Sequence, residues 1–153
     1  MTLPEGLDAK DWGRAELMIL VPADWAGNLA DPETIKDEGN FAPFRLLTEM
    51  ARFPHNNTTF LGPGHTVQNG KPVAPGSPMD SAMIHWSVAL PSDQLRLTLD
   101  NGDKINFYAV YPIHASERQV AVDQNTDVVF EKMLETGAGL VFNPKRPPLF
   151  PAN

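Results

Sequence analysis

The 153-residue sequence predicts an α+β fold, a mostly antiparallel sheet with a layer of helices packed on it, in a single domain over residues 1–153. Two observations lead to this prediction. Segments in which apolar and polar residues alternate dominate the middle of the chain, and two segments with a helical period lie before and after them. Fifteen prolines and eleven glycines indicate short elements joined by many ordered loops.

The first predicted strand covers residues 16–21. It is apolar at consecutive positions, which is typical of a central strand covered on two sides, and Pro22 ends it. A later strand, residues 82–90, has one apolar face that includes Trp86, which we expect in the core. Residues 140–142 are expected to add a short final strand.

Residues 95–112 are predicted to form a hairpin. A two-residue turn would place Leu97 opposite Asn106, whereas a three-residue loop pairs Leu97 with Ile105. Because a slip of one residue turns every side chain to the other face, burial of one face favours the longer loop. We therefore expect a type I turn with Gly102 in the left-handed conformation at a bulge.

Two segments are predicted to be helices. Residues 44–53 place their apolar side chains on one half of a helical wheel, with Asn40 as the expected cap and Pro54 as the end. Residues 126–136 form the second helix, and Gly137 suits its left-handed C-terminal cap.

The net charge of −7 limits the partners that the surface can bind. An acidic surface repels phosphate backbones and anionic lipid, so we expect no nucleic-acid and no membrane binding. It either attracts a basic partner or serves only solubility. The acidic first twenty residues resemble no secretory signal, no apolar run approaches the length of a membrane span, and there is no cysteine, so a cytoplasmic location is expected.

No pattern in the sequence predicts catalysis, a cofactor or a metal. The glycines at residues 62–64 lack the Lys-Ser/Thr ending of a phosphate-binding loop and no helix follows them. No nucleophile elbow is present; the nearest match, residues 75–78, lacks the second glycine. The four histidines show no metal-binding spacing and are expected to have structural or surface roles.

A few residues are candidates for contact with a partner. Trp25 follows the first strand and either anchors an interface or packs over the end of the sheet. His65 and Asn69 lie in the loop of residues 62–78, and Glu117 suits the first turn of a helix.

The order of these segments resembles the suppressor-of-fused domain family over residues 15–146, with a proline-rich tail at 144–153. The stretches that carry the resemblance are AELMILVP at 15–22, ARFPH at 51–55, LGPGHTV at 61–67, NGKP at 69–72, NFY at 106–108 and YPI at 111–113, together with Glu117 and Arg146.

The resemblance implies binding to another protein without catalysis. Animal members of the family are similar to scaffolds that sequester a transcription factor, and bacterial single-domain members are similar to immunity proteins that neutralise a toxin. We therefore expect an immunity protein with a basic toxin as its partner. A metal-dependent hydrolase using His65 and a regulatory scaffold are the alternatives. The candidate partner-binding residues are Trp25, His65, Asn69, Glu117 and Arg146.

One departure from the family pattern concerns the start of the chain. Fourteen residues precede the Ala15-Glu16-Leu17 strand, whereas bacterial members have a longer segment there. If a strand is missing, one edge of the sheet is uncovered, and we expect a homodimer or a crystal contact through that edge.

Overall fold

The computed structural model describes residues 2–25 and 30–151. Four α-helices and five strands lie in this part of the chain. The helices are α1 (Ala9–Trp12), α2 (Glu38–Asn56), α3 (Ala115–Asp123) and α4 (Thr126–Thr136). The strands are β1 (Arg14–Met18), β2 (His65–Gln68), β3 (Ser81–Trp86), β4 (Arg96–Thr98) and β5 (Lys104–Ile113), and short 3₁₀ turns cover Thr34–Lys36 and Ser92–Gln94.

The five strands form one sheet in the order β1-β5-β3-β2, and β4 pairs with the first residues of β5. Three of the pairings are antiparallel, whereas β1 runs parallel to β5. The predicted mixed fold with a mostly antiparallel sheet is therefore confirmed. Long β5 is the centre of the sheet, since it pairs with β1 along one side and with β4 and β3 along the other.

Helices cover both faces of the sheet, so the expected single helical layer is wrong. Tyr108 and Val110 on β5 pack with α2 on one face. Ala109 and Tyr111, which alternate with them, pack against α4 on the other. Because successive side chains of a strand point to opposite faces, an apolar run such as this one needs a cover on each side.

Helix α2 is longer than predicted at both ends. Asp37, and not Asn40, caps it by accepting hydrogen bonds from the N–H groups of Gly39 and Asn40. Its last turn runs through Pro54 to Asn56, since a proline close to the end costs one hydrogen bond and does not break the helix. Helix α4 has the predicted bounds, and Gly137 caps it with a φ of 71°.

The predicted hairpin register is confirmed, but burial of Leu97 does not explain it. Leu97 pairs with Ile105, and Gly102 has a φ of 83° after a turn closed by its N–H to the carbonyl of Leu99. Leu97 is nevertheless 50% exposed. The left-handed glycine therefore accounts for the register better than burial of the apolar face does.

Strand β1 lies at an edge of the sheet and ends at Met18, so the prediction of a central strand that is apolar on both faces is wrong: Arg14 and Glu16 share a face with Met18. Ala15 and Leu17 face α2, while Met18 faces the opposite helices. In the described part of the chain β1 pairs only with β5. Residues 140–142 form no strand, although the N–H of Phe142 donates to the carbonyl of Leu20 at 2.7 Å.

Candidate interaction surfaces

The sequence predicts a loop over residues 62–78, but His65–Gln68 form strand β2 at the other edge of the sheet, so that prediction is wrong for these four residues. Strand β2 pairs only with β3 in the described residues, and beyond it the N–H of Asn69 donates to the carbonyl of Asp80 at 2.8 Å. Because backbone groups alternate in direction along an antiparallel strand, those of Thr66 and Gln68 point away from β3. They are available to a strand from another chain.

The loop after β2 is fixed at several points. The N–H of Val73 donates to the carbonyl of Met79 at 2.9 Å, and Arg45 on α2 donates to the carbonyl of Val73 at 3.1 Å. Lys71 and Glu49 form an ion pair at 2.8 Å. The loop is thus held against α2 beside the β2 edge, so a partner would meet an ordered surface there.

His65 and Asn69 belong to this edge and stabilise its loops. The Nδ1 atom of His65 accepts a hydrogen bond from the N–H of Gly62, and its ring lies edge-on to Phe60, 4.6 Å between centroids. Burial lowers the pKa of His65, which favours the neutral form of its ring. Asn69 donates from Nδ2 to the carbonyl of Lys71 at 3.3 Å.

Trp25 lies elsewhere, between the start of α2 and the C-terminal segment. Its Nε1 donates to the carbonyl of Asn40 at 3.1 Å, and its ring meets that of Phe142 edge-on at 5.6 Å. The side chain is half-buried. Of the two roles considered from the sequence, packing accounts for these contacts.

Glu117 and Arg146 meet inside the protein. They are 0% and 3% exposed, and two guanidinium nitrogens donate to the two carboxylate oxygens at 2.6 and 2.5 Å. The carboxylate also accepts the N–H groups of His114 and Leu149. Burial opposes ionisation of Glu117, but Arg146 and these donors together hold its pKa below the usual value.

This pair joins three parts of the chain. Arg146 donates to the carbonyl of Pro112 at the end of β5, its own carbonyl lies 3.0 Å from Nε2 of His114, and Glu117 is in the first turn of α3. Neither side chain reaches the surface. The expectation that Glu117 and Arg146 contact a partner is therefore corrected, because both are used to hold the interior together.

A further buried histidine lies beside α4. His85 is 7% exposed, its Nε2 is 3.0 Å from Oδ1 of Asp127, and its ring stacks on Phe130 at 3.9 Å. Its Nδ1 atom has no partner in the described residues. The sequence indicated only a structural or surface role for His85 and did not predict this pair, since the one signal was an acidic residue at the start of a helix.

The described residues contain neither a metal-binding cluster nor a membrane-spanning helix. No three histidine or carboxylate side chains there come together as ligands for a metal ion. No helix in the same part of the chain has the length and apolar character to cross a membrane.

The family model described as "Suppressor of fused protein (SUFU)" matches residues 1–147. The chain belongs to the suppressor-of-fused family. The resemblance inferred from residues 15–146 is confirmed, and the match includes all five candidate residues. A comparison with curated proteins found no match.

Solved structures of suppressor-of-fused proteins share the fold. The Drosophila protein matches with a TM-score of 0.60 and 17% identity, over 71% of this chain and 25% of that one. A homologue from Neisseria gonorrhoeae matches with a TM-score of 0.58 and 18% identity, over 73% and 58%. A third structure, of the Sufu–Fu complex, matches over 71% of this chain and 46% of that one. This chain therefore spans less than two thirds of the length of each of the three matched chains.

The five candidate residues of this suppressor-of-fused chain thus fall in three places. His65 and Asn69 share the β2 edge, Trp25 packs on Phe142, and Glu117 pairs with Arg146 in the interior. Only the first of these places combines unpaired backbone with an ordered loop.

Proposed function

We propose that this chain is a protein-binding module and that its partner adds a strand to the β2 edge beside the loop of residues 69–78. The observation that carries the proposal is the outward direction of the Thr66 and Gln68 backbone groups. An exposed strand edge binds an extended segment through main-chain hydrogen bonds, and neighbouring side chains give specificity.

The ordered loop supports this function because a rigid surface loses less conformational entropy on binding. The contacts of Val73, Lys71 and Arg45 fix it before a partner arrives. One of the solved family structures is of a Sufu–Fu complex, which is consistent with protein binding in the family.

The finer proposal is an immunity protein in the cytoplasm that neutralises a basic toxin. Its support is the net charge of −7, which accelerates encounter with a basic partner. The product of the neighbouring reading frame is the partner to test first. If the charge steers the encounter, the association rate falls steeply as salt is added, whereas a salt-independent rate would contradict steering.

The β2 edge is tested by Gln68→Pro, with Gln68→Ala as its control. Proline removes the outward N–H without touching the ladder to β3, while alanine keeps that N–H and loses only the side chain. We expect proline to weaken partner binding roughly tenfold or more, because a buried acceptor on the partner loses its donor. Calorimetric titration measures both variants. Equal affinities for the two variants would show that the partner does not bind at the β2 edge.

The homodimer expected from an uncovered edge concerns the other end of the sheet, at β1. The homodimer would use a different surface from the one proposed for the partner. Either proposal can therefore be contradicted without affecting the other.

A further inference from the structure

A groove runs along the outer side of β1, between this strand and α2. Its volume is about 620 Å³. Leu17 on β1 and Leu47 and Ala51 on α2 contribute to its lining. Along its other side β1 pairs with β5, and in the described residues nothing pairs with its outer edge. An unpaired edge beside an apolar wall is a surface on which a further strand can bind.

The flank of α2 near this groove is unusually apolar for a surface. Phe44, Leu47 and Ala51 follow one another at intervals of three and four residues, so they form a stripe along the helix. Phe44 is 40% exposed and stacks on Phe41, which is 44% exposed. The sequence predicted all three residues of the stripe on the buried half of the helix, yet the core of this chain covers only part of it.

The side chains of β1 indicate which kind of strand can bind at this edge. Arg14 and Glu16 are two residues apart and therefore lie on the same face of the strand. Arg14 binds Asp103 through Nε and one terminal nitrogen, which leaves its other terminal nitrogen available. Glu16 is exposed and has no ion pair in the described residues. Such a strand is complementary to an antiparallel copy of itself.

The charge near the groove also permits two copies to approach. The ionisable residues in its lining are Arg14, Glu16, Arg52 and His55, whereas the whole chain has a net charge of −7. The groove lining therefore adds no acidic excess of its own to the repulsion between two acidic molecules.

We propose that two copies of this chain associate through the outer edges of β1, antiparallel, with Ala15 on the two-fold axis. This register places Arg14 opposite Glu16 of the second copy, and the two-fold symmetry produces the ion pair twice. The two sheets become continuous, and the stripes of Phe44, Leu47 and Ala51 approach each other across the axis on one side of the joined sheet.

The test is the oligomeric state of the whole chain by sedimentation velocity, from about 1 to 100 μM. We expect a wild-type dimer. Glu16→Arg replaces two attractive cross-strand pairs by two repulsive ones, so the dissociation constant should rise about tenfold or more. Exchanging both charges, Arg14→Glu with Glu16→Arg, should restore the dimer. This exchange is made in an Asp103→Asn background, so that the carboxylate introduced at position 14 does not face another carboxylate.

A second variant tests the helix stripe without changing β1. Ala51→Glu introduces a charge on the exposed flank of α2, at a position where glutamate is compatible with a helix, and should yield a monomer. Leu134→Glu is the matched control, since Leu134 is 50% exposed on α4, on the opposite face, and should leave the dimer intact. Thermal unfolding establishes that every variant is folded.

Three results would overturn the proposed dimer. A wild-type monomer over the whole range, whether or not a foreign peptide binds along β1, would overturn the proposal. So would a dimer that Glu16→Arg leaves unchanged or that Gln68→Pro dissociates. Glu16→Arg should leave partner binding at the β2 edge unaltered, which separates failure of this proposal from failure of the proposed function.

Discussion

The two ends of the sheet offer the same backbone but different side chains. At one end β1 carries Arg14 and Glu16, opposite charges on one face. At the other end the outward backbone groups of β2 belong to Thr66 and Gln68, which are uncharged. Unpaired N–H and C=O groups attract any extended strand, so the side chains determine which one binds. In the proposed dimer these charges make the β1 edge complementary to a copy of itself, while the β2 edge lacks that self-complementarity.

The surroundings of the two edges differ as well. Beside β1 lies the exposed apolar stripe of α2, which a large partner surface would have to cover. Beside β2 lies a loop tied down by Lys71 and Arg45, in which Val73 and Ala74 are buried. The β1 edge is therefore suited to a permanent interface, and the β2 edge is suited to a specific, polar interface.

The largest expected effect concerns the interior, because the Glu117–Arg146 pair contacts neither edge strand. Arg146→Ala leaves the Glu117 carboxylate buried and without its cation, which should cost about 3–5 kcal/mol in the free energy of unfolding. Chemical denaturation measures the loss. Lys145→Ala, at an exposed neighbouring position, is the control and should change the stability by less than about 0.5 kcal/mol.

The pH dependence of stability gives the same pair a second readout. The pKa of Glu117 is lower in the folded chain than its usual value of 4.5, so its contribution is complete above that pH and is lost as the pH falls below it. Arg146→Ala should flatten this part of the profile. Parallel profiles for the variant and the wild type would show that the pair contributes no stability through its charge.

The sequence predicted the parts of this fold that depend on local chemistry. The bounds of α4 follow from apolar periodicity and Gly137, and the hairpin register follows from the loop that ends at Gly102. The parallel pairing of β1 with β5 could not be predicted, because residues about ninety positions apart determine it and no local pattern encodes their contact.

The candidate site was predicted only in part, for the same reason. His65 begins β2 and Asn69 directly follows it, so their closeness in the chain was sufficient to group them, although the sequence placed both in a loop. Glu117 gave the signal of a helix start, which is correct, but its partner is 29 residues away. Burial of both charges becomes apparent only once the C-terminal segment packs over α3.

Gly13→Ala should affect the β1 edge alone and have an intermediate effect. A Cβ at Gly13 would lie 2.4 Å from the carbonyl oxygen of Ala9, a backbone atom that cannot move without shifting α1. Overpacking of this kind costs about 1–3 kcal/mol. Since Gly13 directly precedes β1, dimerisation measured by sedimentation should weaken while partner binding at the β2 edge is retained. A variant that dimerises like the wild type would show that the start of β1 tolerates displacement.

Gly70→Ala is the corresponding change at the β2 edge and should have the smallest effect. Gly70 follows β2 with a φ of 70°, and a Cβ there meets nothing within 4 Å, so only the left-handed backbone conformation opposes the substitution. That conformation costs a residue with a side chain about 1 kcal/mol, which thermal unfolding can resolve. Gly70→Asn should recover part of the loss, since asparagine tolerates this conformation better than alanine does. Because the strain lies at the far end of the sheet from β1, the dimer should be unaffected; a loss of dimer in Gly70→Ala would mean that the two edges are coupled through β3 and β5.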